Sequence, residues 1–239
     1  MQQVKEAVSW ARQRQHPFSL AMALNFAASV ALFRGERPVG LQCAEEAIAL
    51  STDQGFPFYL AIGMAMRGYA LPAPDRHTQG SEQIGEALIA YRATGTELLV
   101  PLWLTFLAEI HGEAGRVEEG VAAVTEGLTI ANQIGDRFGE AELYRLKGEL
   151  ILQKFKVQSS QFNAEEAEAC FHKAIAIAQK QQARSWELRA ATSLARLWQQ
   201  QGKRAEARDL LAPVYEWFTE GFDTADLKDA KGLLEELNS

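Results

Sequence analysis

The sequence predicts an all-α fold, a right-handed superhelical solenoid of about five stacked antiparallel helix pairs. Small residues recur every 40 positions at two places in each repeat, and a fixed period of this size indicates stacked supersecondary units. The alternation of apolar and polar residues that marks β-strands is absent. The first series is Ala28, Gly68, Ala108, Gly148 and Ala195, and the second is Gly40, Gly80, Gly120, Ala167 and Ala207.

Two segments interrupt the repeats. One step in each series measures 47 residues instead of 40, which predicts a loop insertion in the fourth repeat near residues 155–162. Residues 71–77 contain Pro72 and Pro74, and proline ends a helix because it lacks the backbone N–H donor. We expect both segments to be exposed, mobile loops.

Glycines mark the predicted helix ends. Gly55, Gly95 and Gly135 follow the second helix of successive repeats, again 40 residues apart. Gly115 and Gly202 lie in turns between the two helices of a pair. Glycine is the usual residue just after a helix because it adopts the left-handed conformation without a steric penalty.

We expect one helical-repeat domain over residues 1–239, because a repeat array shares one continuous core. Its parts are predicted to be the second helix of a truncated repeat at 1–15, repeats at 18–55, 56–95, 96–135, 136–183 and 184–221, and a capping helix at 224–237.

Both ends of this array carry expectations. Stepping the period back places Val4 and Ala7 in a second helix that lacks its first helix, so apolar surface around Trp10 should be exposed. This favours a piece of a longer protein, or a partner at that edge. The capping helix, with Thr224 as its N-cap, has an apolar face formed by Leu227, Ala230, Leu234 and Leu237.

Composition narrows the function classes. The 239 residues carry a net charge of −7 and show no basic stripe, which argues against nucleic-acid binding. The longest apolar stretch, at 18–33, contains Ser19, Asn25 and Ser29 and is shorter than the roughly 20 residues that span a membrane. No signal peptide precedes it. These observations predict a cytoplasmic protein without a membrane partner.

The two cysteines, Cys43 and Cys170, occupy the same repeat position three repeats apart. Stacked helix pairs advance by roughly 10 Å each, which is beyond the reach of a disulfide. We therefore expect two free, partly buried thiols, as in a reducing compartment.

The segment Ala167-x3-Phe171-x2-Ala174 resembles the second helix of the tetratricopeptide repeat. Tetratricopeptide units usually have 34 residues, so the helices here should be longer. The resemblance implies that positions two, five and nine of each first helix line a concave groove. The candidate groove residues are Asn25, Ser29, Tyr69, Thr105, Glu109, Glu142, Arg145, Glu149, Arg189, Thr192 and Arg196, beside the apolar Met22, Ile62, Ala65 and Leu102.

The charged groove residues have two interpretations. Glu142 shares a repeat position with Arg189, and Glu149 shares one with Arg196, so neighbouring first helices should bring each pair together. Arg145 lies between both glutamates at helical spacing. These charges either form a self-satisfied ladder of ion pairs or contact a peptide or an anion. The pattern of lysine and asparagine that clamps a terminal carboxylate is missing.

Longer segments resemble the C-terminal helical-repeat region of bacterial multidomain class III adenylate/guanylate cyclase–ATPase signalling proteins. They are AYRATG at 90–95, AELYRLKGE at 141–149, SWELRAATSLARL at 185–197, QGKRAEA at 201–207 and WFTEGFDTADL at 217–227. The resemblance implies a sensor or scaffold region. The sequence has no phosphate-binding G-x-x-x-x-G-K-[ST] loop and no recognisable pair of metal-binding cyclase aspartates.

No catalytic, cofactor-binding or metal-binding residue is predicted. The four histidines, His16, His77, His111 and His172, lack the spacing of metal ligands, and the sequence contains no nucleophile motif. An unrecognised hydrolase or transferase site is the remaining enzymatic alternative.

Together these features predict a non-catalytic protein-interaction or sensor module. It would bind a peptide, a partner domain or a small ligand in the groove and relay this to ATPase and cyclase domains of the same parent chain. The alternative is a structural scaffold that forms homo-oligomers through the N-terminal edge at Val4, Ala7 and Trp10.

Overall fold

The computed structural model describes residues 2–154 and 161–238, and this part of the chain contains helices and no strand. The all-α helical-repeat class is therefore confirmed. The helices are α1 (Gln2–Gln13), α2 (Pro17–Phe33), α3 (Arg37–Gln54), α4 (Pro57–Ala70), α5 (Gln79–Ala93), α6 (Val100–Glu113), α7 (Val117–Ile134), α8 (Glu140–Lys154), α9 (Gln161–Gln181), α10 (Arg184–Gln200), α11 (Arg204–Glu216) and α12 (Ala225–Asn238).

The helices group into two compact units, Met1–Ala114 (unit 1) and Gly115–Ser239 (unit 2). In unit 1, α2 packs on α1, α3 and α4, and α4 packs on α3, α5 and α6. In unit 2, α8 packs on α7, α9 and α10, while α12 packs on α10 and α11. Even-numbered helices are the first helices of the pairs and lie beside each other within each unit.

The recurring small residues mark places where helices come close. A methyl group on Gly68 in α4 would lie 2.7 Å from the carbonyl oxygen of Gly80 in α5. In unit 2 a methyl group on Gly148 would lie 2.6 Å from the ring of Phe171. Both separations are too short for a side chain, so these positions require glycine.

The glycines predicted at helix ends adopt the left-handed conformation. Gly55, Gly95, Gly115, Gly135 and Gly202 have φ angles of 68°, 82°, 72°, 73° and 79°. At Gly55 the backbone N–H donates to carbonyl oxygens in the last turn of α3, which satisfies acceptors that the helix leaves open.

The prediction of an exposed loop at 71–77 is wrong for two of its residues. Helix α4 ends at Ala70 as expected, but Leu71 and Arg76 are buried. Arg76 lies in a short 3-10 helix, Asp75–His77, and pairs with Glu113 at the end of α6. The ion pair and the burial hold the segment against its unit.

The predicted insertion at 155–162 lies largely outside the described residues. Residues 155–160 are not described, and α9 begins at Gln161. In unit 2, α12 covers the apolar core with Leu227, Ala230, Leu233 and Leu237, while Leu234 is only partly buried.

Among the described residues, no helix is long and apolar enough to cross a membrane. Cys43 and Cys170 are free thiols, as predicted. Burial raises the pKa of both thiols, so they are not activated as nucleophiles.

Candidate functional site

Unit 2 gathers its predicted charged residues into a network that joins α8 to α10. Arg145 binds Glu142 with two nitrogens: Nε lies 2.9 Å from Oε2 and Nη2 lies 2.6 Å from Oε1. Arg189 of α10 approaches the same carboxylate, with Nη2 at 2.8 Å from Oε1. Glu142 and Arg145 are only 3% and 6% exposed, so this is a buried ion pair.

The electrostatics of Glu142 exclude a role as a proton donor at neutral pH. Burial by itself would raise the pKa of this carboxyl group. The nearby guanidinium groups of Arg145 and Arg189 outweigh that effect and hold the pKa below its ordinary value. The group is therefore an ionised carboxylate that ties two helices together.

The second predicted ion pair, between Glu149 and Arg196, does not form. Glu149 pairs with Arg145 and accepts a 2.9 Å hydrogen bond from the hydroxyl of Ser193. Arg196 pairs with Asp229 of α12 instead. The reason is that α12 presents a carboxylate to Arg196, while Glu149 already has two donors.

Three first helices, α8, α10 and α12, enclose a cavity of about 110 Å³ in unit 2. Its walls carry both signs of charge, with three arginines and three acids. The lining residues are Arg145, Glu149, Arg189, Thr192, Ser193, Arg196, Asp226 and Asp229. A cavity with this lining suits a segment that carries an acidic and a basic group, rather than a lone anion.

The polar groove residues of unit 1 are separate from this network. Tyr69 donates its hydroxyl hydrogen to Glu109, with both carboxylate oxygens at 2.9 Å, and its ring stacks on Phe106 at 4.1 Å. The guanidinium of Arg37 lies 4.8 Å from the Tyr69 ring centroid and 3.6 Å from Glu109. Aromatic stacking and one carboxylate thus connect α4 to α6.

The remaining predicted residues are engaged with backbone groups. The side-chain amide of Asn25 donates to the carbonyl of Ala21 at 2.9 Å and to that of Tyr59 at 3.3 Å. The hydroxyls of Ser29, Thr105 and Thr192 donate to carbonyl oxygens three or four residues earlier in their own helices, at 2.9, 2.6 and 2.8 Å.

The predicted set therefore divides by exposure. Ser29, Glu109, Glu149, Arg189 and Arg196 are partly or fully exposed. The buried members are Asn25, Tyr69, Thr105, Glu142, Arg145 and Thr192. A role in binding stays a prediction for all of them, and the exposed residues are the ones a partner could reach directly.

The sequence analysis missed three residues of the cavity: Ser193, Asp226 and Asp229. A signal existed for Asp229, because it lies 40 residues after Arg189, at position two of the next first helix. Treating α12 only as an apolar cap hid its polar face. Among the described residues, no three His, Cys, Asp or Glu side chains cluster as a metal site would require.

Comparison with known proteins supports the fold. No protein-family model and no curated protein matches the chain. The crystal structure of BtubC (BKLC) from P. vanneervenii matches with a TM-score of 0.62 and 16% identity, over 99% of this chain and 90% of BtubC. The crystal structure of a single-residue variant of a putative kinesin light chain from Podosopora anserina, with nearly identical TPR-like repeats, matches with a TM-score of 0.50 and 20% identity, over 83% of this chain and 94% of its own.

At identities this low the similarity establishes the fold and nothing about ligands. The chain has a tetratricopeptide-like helical-repeat fold.

Proposed function

We propose that the chain is a non-catalytic protein-interaction module and that its partner binds unit 2 at the cavity between α8, α10 and α12. The observation that carries this proposal is the mixed charge of that cavity. Repeat folds of this kind generally serve protein interaction. A partner segment with an acidic and a basic side chain would complement both walls.

The exposed residues of the cavity are the ones that a partner would engage. The side chains of Arg196 and Asp229 are 46% and 48% exposed, and an exposed ion pair contributes only about 0–1 kcal/mol. A partner can therefore exchange this pair for its own charges at little cost. The buried pair of Glu142 and Arg145 stays intact and fixes the positions of α8 and α10.

Aromatic side chains beside the cavity would add apolar contact area. The guanidinium of Arg189 lies 5.6 Å from the ring centroid of Trp186, so this arginine joins the cavity to an aromatic surface. Trp217 is 55% exposed, with Arg184 at 5.2 Å from its ring. Tryptophan and arginine are the residues that most often dominate binding at protein interfaces.

The test uses Arg196→Glu with Arg208→Glu as a matched control. Arg208 is equally exposed, at 49%, and also pairs with an aspartate, but it lies on α11 away from the cavity. A displayed peptide library selected on the wild-type protein should yield peptides with both acidic and basic residues. Binding should fall at least about tenfold for Arg196→Glu and stay unchanged for Arg208→Glu. Equal binding by both variants would contradict the proposal.

We further propose that binding is relayed to ATPase and cyclase domains of the same parent chain, in the cytoplasm. The support is the resemblance of the segments in α8, α10 and α11–α12 to the repeat region of such signalling proteins. Partner binding would change the spacing of the first helices and pass that change along the stack. The gene tests this: a cyclase or ATPase domain should be encoded in the same reading frame.

A second candidate function is a scaffold that assembles through α1. The observation in its favour is Trp10, which is 62% exposed, with the guanidinium of Arg14 at 5.6 Å from its ring centroid. Most of the outward face of α1 is polar, which makes it a weak apolar contact. A fall in oligomer mass after Trp10→Ser would support this scaffold.

A further inference from the structure

Helix α2 in unit 1 has an exposed apolar ridge. Phe18, Met22 and Phe26 are 50%, 40% and 65% exposed, although each is a large hydrophobic side chain. Their spacing of four residues places them in one row along the helix surface. Large contiguous apolar surfaces of this kind mark interaction sites.

Part of this ridge has the character of a helix–helix contact. The repeat position of Phe26 is filled by Met66 in α4, which is 2% exposed, and by Phe106 in α6, which is 4% exposed. Met66 faces α2, since its sulfur lies 3.4 Å from the Ser29 hydroxyl. Phe106 faces α4, since it stacks on Tyr69. At this position a first helix is thus packed against another first helix, and α2 leaves it open.

We propose that the ridge of α2 binds the same ridge of a second copy of this chain about a two-fold axis through Met22. The ridge reads Phe-x3-Met-x3-Phe and is symmetric about its centre. A two-fold contact requires a self-complementary surface. The axis sets Met22 against Met22 of the second copy, and Phe18 against Phe26 of the second copy.

Charge also favours a second copy as the occupant. Each chain carries a net charge of −7, yet α2 has no acidic or basic residue from Pro17 to Phe33. Two copies can therefore meet here without burying a charge. The two α2 helices run in opposite directions in this arrangement, which aligns their dipoles favourably.

The packing is feasible on general grounds. Ridges of the i±4 type interdigitate at about −50°, the commonest angle between packed helices. The flexible Met22 side chains at the centre adapt to the flanking rings, and thioether–aromatic contacts are favourable. Three large side chains per copy form a small interface, so the dimer should dissociate in the micromolar range. This inference does not rest on the cavity of unit 2.

Analytical ultracentrifugation tests the dimer. With rising micromolar concentration, the mass should increase from the 26.4 kDa monomer toward twice that value. Phe26→Ser should raise the dissociation constant at least about tenfold. Ile89→Ser is the matched control, because Ile89 is 72% exposed on α5 and outside the ridge, and it should leave the constant unchanged. Trp10→Ser should also leave it unchanged.

A cysteine variant tests the axis directly. Met22→Cys should form a disulfide-linked dimer in air, because the two-fold axis brings that position within disulfide reach of itself. Ile89→Cys should not. A mass that stays monomeric, an unchanged constant for Phe26→Ser, or loss of the dimer with Trp10→Ser alone would each overturn the proposal. Circular dichroism confirms that the variants remain folded.

Discussion

In unit 1 the first helices meet through aromatic and aliphatic side chains, whereas in unit 2 they meet through carboxylates and guanidinium groups. Met22, Ile62 and Leu102 stand at the repeat position that Glu142 and Arg189 occupy in unit 2. Both units still use glycine where helices approach closely, at Gly68 and at Gly148. The small residues thus set the spacing, and the facing side chains can vary if they satisfy each other.

The largest effect should come from removing one partner of the buried ion pair. Arg145→Met leaves Glu142 with Arg189 alone in a buried site, and loss of such a partner costs about 3–5 kcal/mol. Asn25 occupies the same repeat position in unit 1, and its side-chain oxygen has no hydrogen-bond partner. Asn25→Leu should therefore cost less than about 1 kcal/mol. Urea unfolding measures both, and equal losses would remove the contrast between the units.

A smaller effect is expected from the glycines that the units share. Gly68→Ala forces a methyl group against the Gly80 backbone and should destabilise the fold by about 1–3 kcal/mol. Gly85, on α5, has no atom within 4 Å of an added methyl group. Gly85→Ala should stabilise the helix by about 0.5–1 kcal/mol. Thermal unfolding would contradict this account if the two variants shifted in the same direction.

The smallest effect concerns the proton on Glu142. Its folded pKa lies below the ordinary value of 4.5, so the unfolded chain binds this proton more readily. The carboxylate therefore contributes stability above that value, and the contribution is lost as the pH falls through the folded pKa. Glu142→Gln should flatten this acid limb of the unfolding free energy. The limb would be measured by urea unfolding from neutral pH downward, and an unchanged limb would refute the assignment.

The 40-residue period was enough to place the helix pairs and their terminal glycines, because both follow from local backbone geometry. The contacts of individual side chains were harder to infer. Arg76 was expected in an exposed loop, yet its partner Glu113 lies 37 residues further along the chain. Only the folded arrangement brings the two together.

The candidate site shows the same limit. The contacts among Glu142, Arg145 and Arg189 were predictable, because helical spacing and the repeat period bring these residues together. The partner of Arg196 was not foreseen, because Asp229 belongs to a helix that had been regarded only as a cap. Burial of Asn25 and Thr105 depends on side chains from several helices, which a repeat position alone does not reveal.

The close approach of Gly68 and Gly80 has a mechanical consequence for unit 1. Where the two backbones meet, the distance between α4 and α5 is fixed at that point. The angle between the helices is set by side chains further along them, and side chains can change rotamer where a backbone cannot yield. The pair can therefore tilt about this point like a pivot, so bending of unit 1 would concentrate in the second repeat.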